Sequence, residues 1–348
     1  MDQDFQPERR KFLKQFVQYS ALGLSVVSTP IFGNFWQKSE AQDRPGVKTN
    51  VVRLGYQSAG DIVKIRGVLE ARLRSLGVSV QWARFPAGPQ LLEAMNVGRV
   101  DIGSVGETPP IFAQAAGAPL VYIAGRKPSQ GEGSAIVVRK NSPLQKLADL
   151  KGQKVIFQRG SASQYLLLSA LQEAGLSVRD IQPISLTPAE ARDAFIHEKI
   201  DAWVAWDPHY AFVQSTVGAR TLKNAAGIAT QGGFYLSRRD FALQNPELVR
   251  VILEEIDRLG EWAEAHPTEV ARLLQPELKL DLAILEEVTH RRTFKLRPLT
   301  PDLINEQQRI ADVFASEGII PRQIAIRDAL LTPQQYAAIT PQRIASQI

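Results

Sequence analysis

A pattern that occurs twice restricts this chain more than any other feature. Ala94, Val100-Asp101 and Gly106-Glu107 stand one hundred residues ahead of Ala194, Ile200-Asp201 and Trp206-Asp207, with Pro109 one step later than its partner Pro208. Ser58-Ala59 is answered in the same way by Ser161-Ala162. Two copies at so long a period are not a solenoid, which stacks more and shorter units. Two similar lobes facing each other is the simplest arrangement.

Within each copy, short β-rich runs alternate with helical stretches, which is the mark of an α/β fold. Val51 to Tyr56 reads as a strand. Ile62, Ile65, Leu69, Leu73 and Leu76 have helical spacing, predicting one helix over 62–76 closed by Gly77. Strand, helix, strand, helix and strand follow at Val78 to Trp82, Pro89 to Val97, Val100 to Gly103, Pro109 to Ala116 and Leu120 to Ala124. The order then returns, with strands at Val155 to Phe157, Ile184 to Leu186 and Ile200 to Val204 and helices at Gln164 to Ala174 and Ala189 to His197.

Crossings between lobes are expected at Ser134 to Arg139 and Gly233 to Arg238, a two-strand hinge able to open and close. Residues 50–135 then form the first part of lobe 1, 136–235 lobe 2, and 236–330 a helical completion of lobe 1. An apolar stripe of Leu248, Val251, Ile252, Ile256, Leu259 and Trp262, broken by Glu255, marks a helix bracing the first lobe. Two more helical segments are read around Leu282 to Val288 and Leu303 to Phe314. The Gln- and Ala-rich segment 331–348 is expected to be a loosely held tail.

The net charge is +5 with no block of like charges, which argues against a nucleic-acid surface. Arg9-Arg10 before Phe12-Leu13-Lys14, then a short apolar stretch to Pro30, resemble a twin-arginine export signal, with cleavage expected after Ala41. That stretch is too short and polar to span a bilayer. The chain has no cysteine, so neither a disulfide nor a lipidated cysteine is available. A freely diffusing periplasmic monomer is the expectation.

In open α/β sheets, ligands bind where strand ends lead into helix N-termini. Four such junctions are legible: Tyr56-Gln57-Ser58-Ala59-Gly60, Gly106-Glu107-Thr108-Pro109, Arg159-Gly160-Ser161-Ala162-Ser163 and Trp206-Asp207-Pro208. Helix starts carry unpaired N–H groups and partial positive charge, so several converging on one cleft can hold an anion without a formal cation. The hydroxyls of Ser58, Thr108, Ser161 and Ser163 either add donors to that anion or cap their own helices. Glu107 and Asp207 would repel an anion, so capping or pairing with Arg or Lys is their expected role. Tyr56 and Trp206 are candidate apolar walls, Trp82 and Trp203 candidate core residues, and Arg159 an alternative anion partner. His197, His209, His266 and His290 lack metal-ligand spacing, and no GxxxxGK[ST] loop is present.

Several of these stretches resemble the aliphatic sulfonate-binding proteins of ABC importers. They are Phe85-Pro86-Ala87-Gly88-Pro89-Gln90-Leu91-Leu92-Glu93-Ala94-Met95-Asn96-Val97-Gly98, Pro109 to Ala118, Asp149-Leu150-Lys151-Gly152, Asp180-Ile181-Gln182-Pro183, Asp201-Ala202-Trp203 and Trp206-Asp207-Pro208. The likeness runs from about Val51 to Arg327. It implies a type II periplasmic-binding-protein fold, an alkanesulfonate ligand, no cofactor, no catalysis, and delivery to a membrane permease with its own ATPase. It also implies a ligand site in the interlobe cleft at Gln57, Ser58, Gly106, Glu107, Thr108, Gly160, Ser161, Ala162, Ser163, Trp206 and Asp207, to which the reading of the junctions adds Tyr56. Nitrate- and taurine-binding relatives share much of the pattern and remain alternatives. So does a sensor module that contacts a receptor. Enzymes resembling this architecture, desulfinases and pyrimidine-precursor synthases, rely on cysteine chemistry that this chain lacks. Glu107 and His209 depart from the family's more usual Asp and Tyr, which bears on the shape of the pocket.

Overall fold

Parallel strands require crossover connections, and this chain supplies them as helices. The computed structural model describes residues 46–57, 60–228 and 232–347. The expected export signal, residues 1–41, and Ser58 lie outside them. Val51–Gln57 (β1) pairs in parallel with Ser79–Phe85 (β2), Val51 opposite Ser79, across two short helices, Ile62–Arg66 (α1) and Val68–Arg74 (α2). Gly88–Asn96 (α3) leads to Ile102–Val105 (β3) on the other side of β1, and Thr108–Ala115 (α4) to Leu120–Arg126 (β4).

The second sheet repeats this plan. Ser134–Val138 (β5) precedes Lys154–Phe157 (β6), Ala162–Glu173 (α5), Gln182–Ser185 (β7), Pro188–Ile196 (α6), Ala202–Trp206 (β8), His209–Val217 (α7) and Arg220–Asn224 (β9). The chain then returns through Phe234–Arg238 (β10), Arg239–Gln244 (α8), Pro246–Ala265 (α9), Pro267–Leu278 (α10), Leu282–Arg291 (α11), Leu296–Arg297 (β11), Pro301–Ser316 (α12), Pro333–Ile339 (α13) and Gln342–Ala345 (α14).

Strand order is β2-β1-β3-β10-β4-β11 in one sheet and β7-β6-β8-β5-β9 in the other. In each, the fourth strand runs antiparallel to the third: Phe234 faces Val105, and Ser134 faces Trp206. The repeated aspartates make the same bonds in both. Arg53 N donates to Asp101 Oδ2 at 2.8 Å and Asp101 N to Arg53 O at 2.8 Å; Lys154 N donates to Asp201 Oδ2 at 2.8 Å and Asp201 N to Lys154 O at 3.1 Å. Both sheets are apolar on both faces, so each is a covered layer. α9, α10 and α13 cover one face of the first sheet, and α3, α4 and α12 the other. In the second sheet α5 covers one face, α6 and α7 the opposite one. The α/β class with two lobes is therefore present as expected.

The helical brace is α9, which buries Leu248, Val251, Ile252, Ile256 and Leu259 to 6% exposure or less. Each such side chain contributes about 1.5–3 kcal/mol relative to exposure. Glu255, the break in the stripe, pairs with Arg258 at 3.5 Å and Arg72 at 3.7 Å.

Three expectations are corrected. The helix over 62–76 is two helices, because Gly67 at φ 62° ends α1 and opens α2. The runs at Ser134 and Phe234 are strands inside the sheets; the chain crosses just before each, after Arg126 and after Asn224. The two crossings touch, with Ala225 N donating to Gly131 O at 3.1 Å, and a Cβ on Gly131 would stand 2.5 Å from Ala225 O. Lastly, the segment from Thr332 is docked rather than loose. Ile339 and Ile344 are each 1% exposed, Tyr336 Oη donates to Tyr122 O at 2.8 Å, and Arg343 pairs with Asp257 and Glu261, each at 2.6 Å. Two apolar anchors and one arginine fix a segment whose average composition reads as tail.

Candidate functional site

The strand ends of both sheets face one cleft, closed on either side by contacts between the lobes. On one side Tyr165 and Leu168 of α5 pack against Phe112 and Phe314; on the other Ala211 of α7 meets Ile284 and Val288 of α11. Between them lies a cavity of about 270 Å³. That is just below the usual span of ligand sites, about 300 to 1,000 Å³, and suits a small ligand.

Seven of the twelve expected site residues line it: Tyr56, Gln57, Gly106, Ser161, Ala162, Trp206 and Asp207. Four helix starts line the same cavity. Gly60 to Val63 lead into α1, Gly88 opens α3, Pro109 lies in the first turn of α4, and Ser161-Ala162 open α5. The first turns of α3 and α4 touch so closely that a Cβ on Gly88 would stand 2.6 Å from Pro109 Cγ. Gln57 Nε2 donates to Ser104 O at 3.0 Å, holding its amide on the wall. Tyr56 is 8% exposed, with Trp82 edge-on to its ring and Lys64 over it. Trp203 is a core residue, as expected.

The remaining site expectations lie off the cavity wall or outside the description. Ser58 is not among the described residues. Thr108 is fully buried, and its hydroxyl donates to Glu107 Oε1 at 3.3 Å. Glu107 is itself buried, and burial pushes its carboxyl pKa upward. Gly160 N donates to Gln164 Oε1 at 2.7 Å. Ser161 and Ser163 serve the start of α5: Ser161 Oγ accepts from Ser163 N and donates to Gln158 O, and Ser163 Oγ accepts from Gln158 N. Arg159 is exposed away from the cavity. His209 packs on Trp203, and burial, aided by Arg192, pushes its pKa down to about 4, so it stays neutral.

Sequence reasoning missed the charged part of the wall. Arg126 at the end of β4, Arg291 and Arg292 at the end of α11, Asp61 and Tyr235 all line the cavity. Arg126 Nη2 donates to Thr293 O at 2.8 Å, and Arg292 Nη2 to Gly60 O at 3.3 Å. Burial and the neighbouring Arg126 lower the Arg292 pKa to about 10, still charged at neutral pH. Asp61 caps α1 by accepting from Val63 N at 2.8 Å. In the sequence, Arg291-Arg292 look like ordinary basic residues at a helix C-terminus, where they complement the helix dipole. Only the return of α11 to the cleft gives them a second role.

Asp207 is the second-lobe carboxylate on this wall. Its Oδ1 accepts from Ala211 N at 3.1 Å and faces Arg291 Nη1 at 3.5 Å. Burial raises its pKa to about 6 despite the arginine. Among the described residues, no group of three His, Cys, Asp or Glu side chains could hold a metal ion.

The NMT1/THI5 like family model matches residues 74–270. A putative aliphatic sulfonates-binding protein of Escherichia coli is 40% identical over 82% of this chain and 89% of its own length. A protein of the same description from Bacillus subtilis is 30% identical over 80% and 85%. The solved alkanesulfonate-binding protein SsuA from Xanthomonas axonopodis pv. citri, bound to MOPS, is 36% identical with a TM-score of 0.78, covering 82% of this chain and 99% of that one. Carrying the two-lobed fold and aligned with these relatives over four fifths of its length, the chain belongs to the NMT1/THI5 like family and, within it, to the aliphatic sulfonate-binding proteins.

Proposed function

We propose that this protein captures aliphatic sulfonates in the cleft between its lobes and delivers them to the permease and ATPase of an ABC importer. One observation supports this above the others. Arg126 and Arg292 stand on one cavity wall, mutually repelling and largely shielded from water, beside the first turns of several helices. An anion between them relieves the repulsion and takes charge-assisted hydrogen bonds, while the backbone N–H groups add dipoles of the same sign. A sulfonate keeps its charge at every physiological pH, so no proton has to be supplied. The apolar faces of Tyr56 and Trp206 suit a short carbon tail.

In this reading the ligand enters an open cleft, stabilises the closed form by contacting both lobes, and the permease recognises that form. The protein works as a monomer and without catalysis; the binding-protein descriptions of its relatives support the second of these. A periplasmic location, reached through the twin-arginine-type segment 1–41, completes the proposal. Calorimetric titration against ethanesulfonate, taurine, nitrate and sulfate tests the ligand assignment. An alkanesulfonate with an uncharged tail should bind most tightly. Tightest binding of nitrate or taurine overturns the ligand assignment, and no heat from any of the four overturns the binding role at this cleft.

A further inference from the structure

The Asp207 and Arg291 side chains have hydrogen-bonding capacity that the protein itself does not fill. An ionised carboxylate offers about four acceptor sites. Asp207 receives one made hydrogen bond, from Ala211 N, and its Oδ1 is in a loose ion pair with Arg291 Nη1 at 3.5 Å, but neither Asp207 Oδ2 nor Arg291 Nη1 has a hydrogen-bond partner among the described residues. Other contacts hold Arg291 in place: its Nη2 donates to Glu287 and, at 3.3 Å, to Gln214 Oε1, and its guanidinium lies over the Tyr210 ring at 4.9 Å. Both side chains are nearly out of water, 11% and 16% exposed, so their unmet capacity is costly. Both also line the ligand cavity.

We infer that Asp207 and Arg291 form a second polar subsite, which selects sulfonates carrying a hydroxyl on the carbon tail. This rests on the sulfonate reading above and narrows it. A hydroxyl meets both needs with one atom, donating its proton to the Asp207 carboxylate and accepting from Arg291 Nη1. An alkyl tail meets neither. An ammonium can donate to Asp207 but has no lone pair for Arg291, and it brings positive charge towards Arg292 as well.

The test compares ethanesulfonate, 2-hydroxyethanesulfonate and 2-aminoethanesulfonate by calorimetry on the mature protein at pH 8, where Asp207 is ionised. The hydroxyl compound should bind about tenfold more tightly than ethanesulfonate, the size expected for one well-made bond to charged groups. In Asp207→Ala that ratio should fall close to one, whatever happens to the affinity the two ligands share. If the wild-type protein binds ethanesulfonate equally well, or the amino compound best, the subsite assignment is wrong while sulfonate binding stands. If none of the three binds, the sulfonate reading fails and the subsite with it. A ratio that survives in Asp207→Ala also overturns the assignment, and the wild-type series decides it should that variant not fold.

Discussion

Glu107 and Asp207 occupy matching places in the two lobes, one hundred residues apart, each just past the third strand of its sheet. Their surroundings differ. Glu107 is turned into the protein, its carboxyl accepting from the Thr108 hydroxyl and from its own backbone N–H, while its backbone oxygen accepts from Gln307 Nε2 at 2.6 Å. Asp207 lines the cavity and faces Arg291. The difference comes from the helices that follow each sheet: α12 packs over the first junction and supplies Gln307, whereas α11 brings its terminal arginines to the second. Duplication therefore supplied two equivalent backbone frames, and the helical completion gave one carboxylate to the core and the other to the cavity wall. Burial raises both pKa values, but only at Asp207 does a cation oppose the shift.

The contrast is broken most strongly by removing the cation. In Arg291→Ala the Asp207 carboxylate keeps its burial and loses its partner, a change that costs about 3–5 kcal/mol for a buried pair. The sign follows from linkage. Asp207 already has a folded pKa of about 6, above its ordinary value, and it climbs further without Arg291. The deficit should be complete at pH 8 and shrink as pH falls through the raised pKa, where the carboxyl takes up a proton. Urea unfolding of the variant and wild type at pH 8 and pH 5 measures it; an equal deficit at both would mean that Arg291 acts by packing alone. Asp207→Asn should have a smaller, opposite effect. A carboxyl whose folded pKa is raised from 3.8 to about 6 costs the fold stability above that range. The amide variant should thus be more stable than wild type by up to about 3 kcal/mol at pH 8, with the gain vanishing below about pH 4. No gain at pH 8 would show that Arg291 fully offsets the burial.

The sequence shows how the two lobes were laid out because that information is local. Strand-to-helix junctions advertise themselves through Gly, Ser and Pro, and Asp101 and Asp201 mark the same backbone bonds in both sheets. Tyr56, Gln57, Gly106, Ser161, Ala162, Trp206 and Asp207 could be read for that reason, being next to the strand ends that face the cleft. Arg126, Arg291 and Arg292 could not. The two from α11 reach the cavity through a helix that begins more than fifty residues after the second lobe's last strand, and no periodicity within α11 reports where its end will dock. Side-chain direction was equally hidden: Thr108 and Ser163 have the right residue type at the right junctions, but point into their own helix starts. Gly67 escaped notice because a stripe at helical spacing continues through it, and only its positive φ separates α1 from α2.

The smallest effect is expected from Glu107→Gln, and it sharpens the contrast from the other side. Glutamine has nearly the shape of a protonated glutamic acid, and burial already drives Glu107 towards that neutral form. The amide can accept from the Thr108 hydroxyl as the carboxyl does, and the backbone bond from Gln307 does not involve the side chain. Affinity for an alkanesulfonate should stay within about twofold of wild type, because a surface or core change that leaves packing and hydrogen bonds intact shifts free energies by about 0.5 kcal/mol or less. The same titration applied to Asp207→Asn should show a larger change, since that residue is on the cavity wall. A loss in Glu107→Gln as large as in Asp207→Asn would mean that the first-lobe carboxylate also reaches the ligand and that the lobes share the site symmetrically.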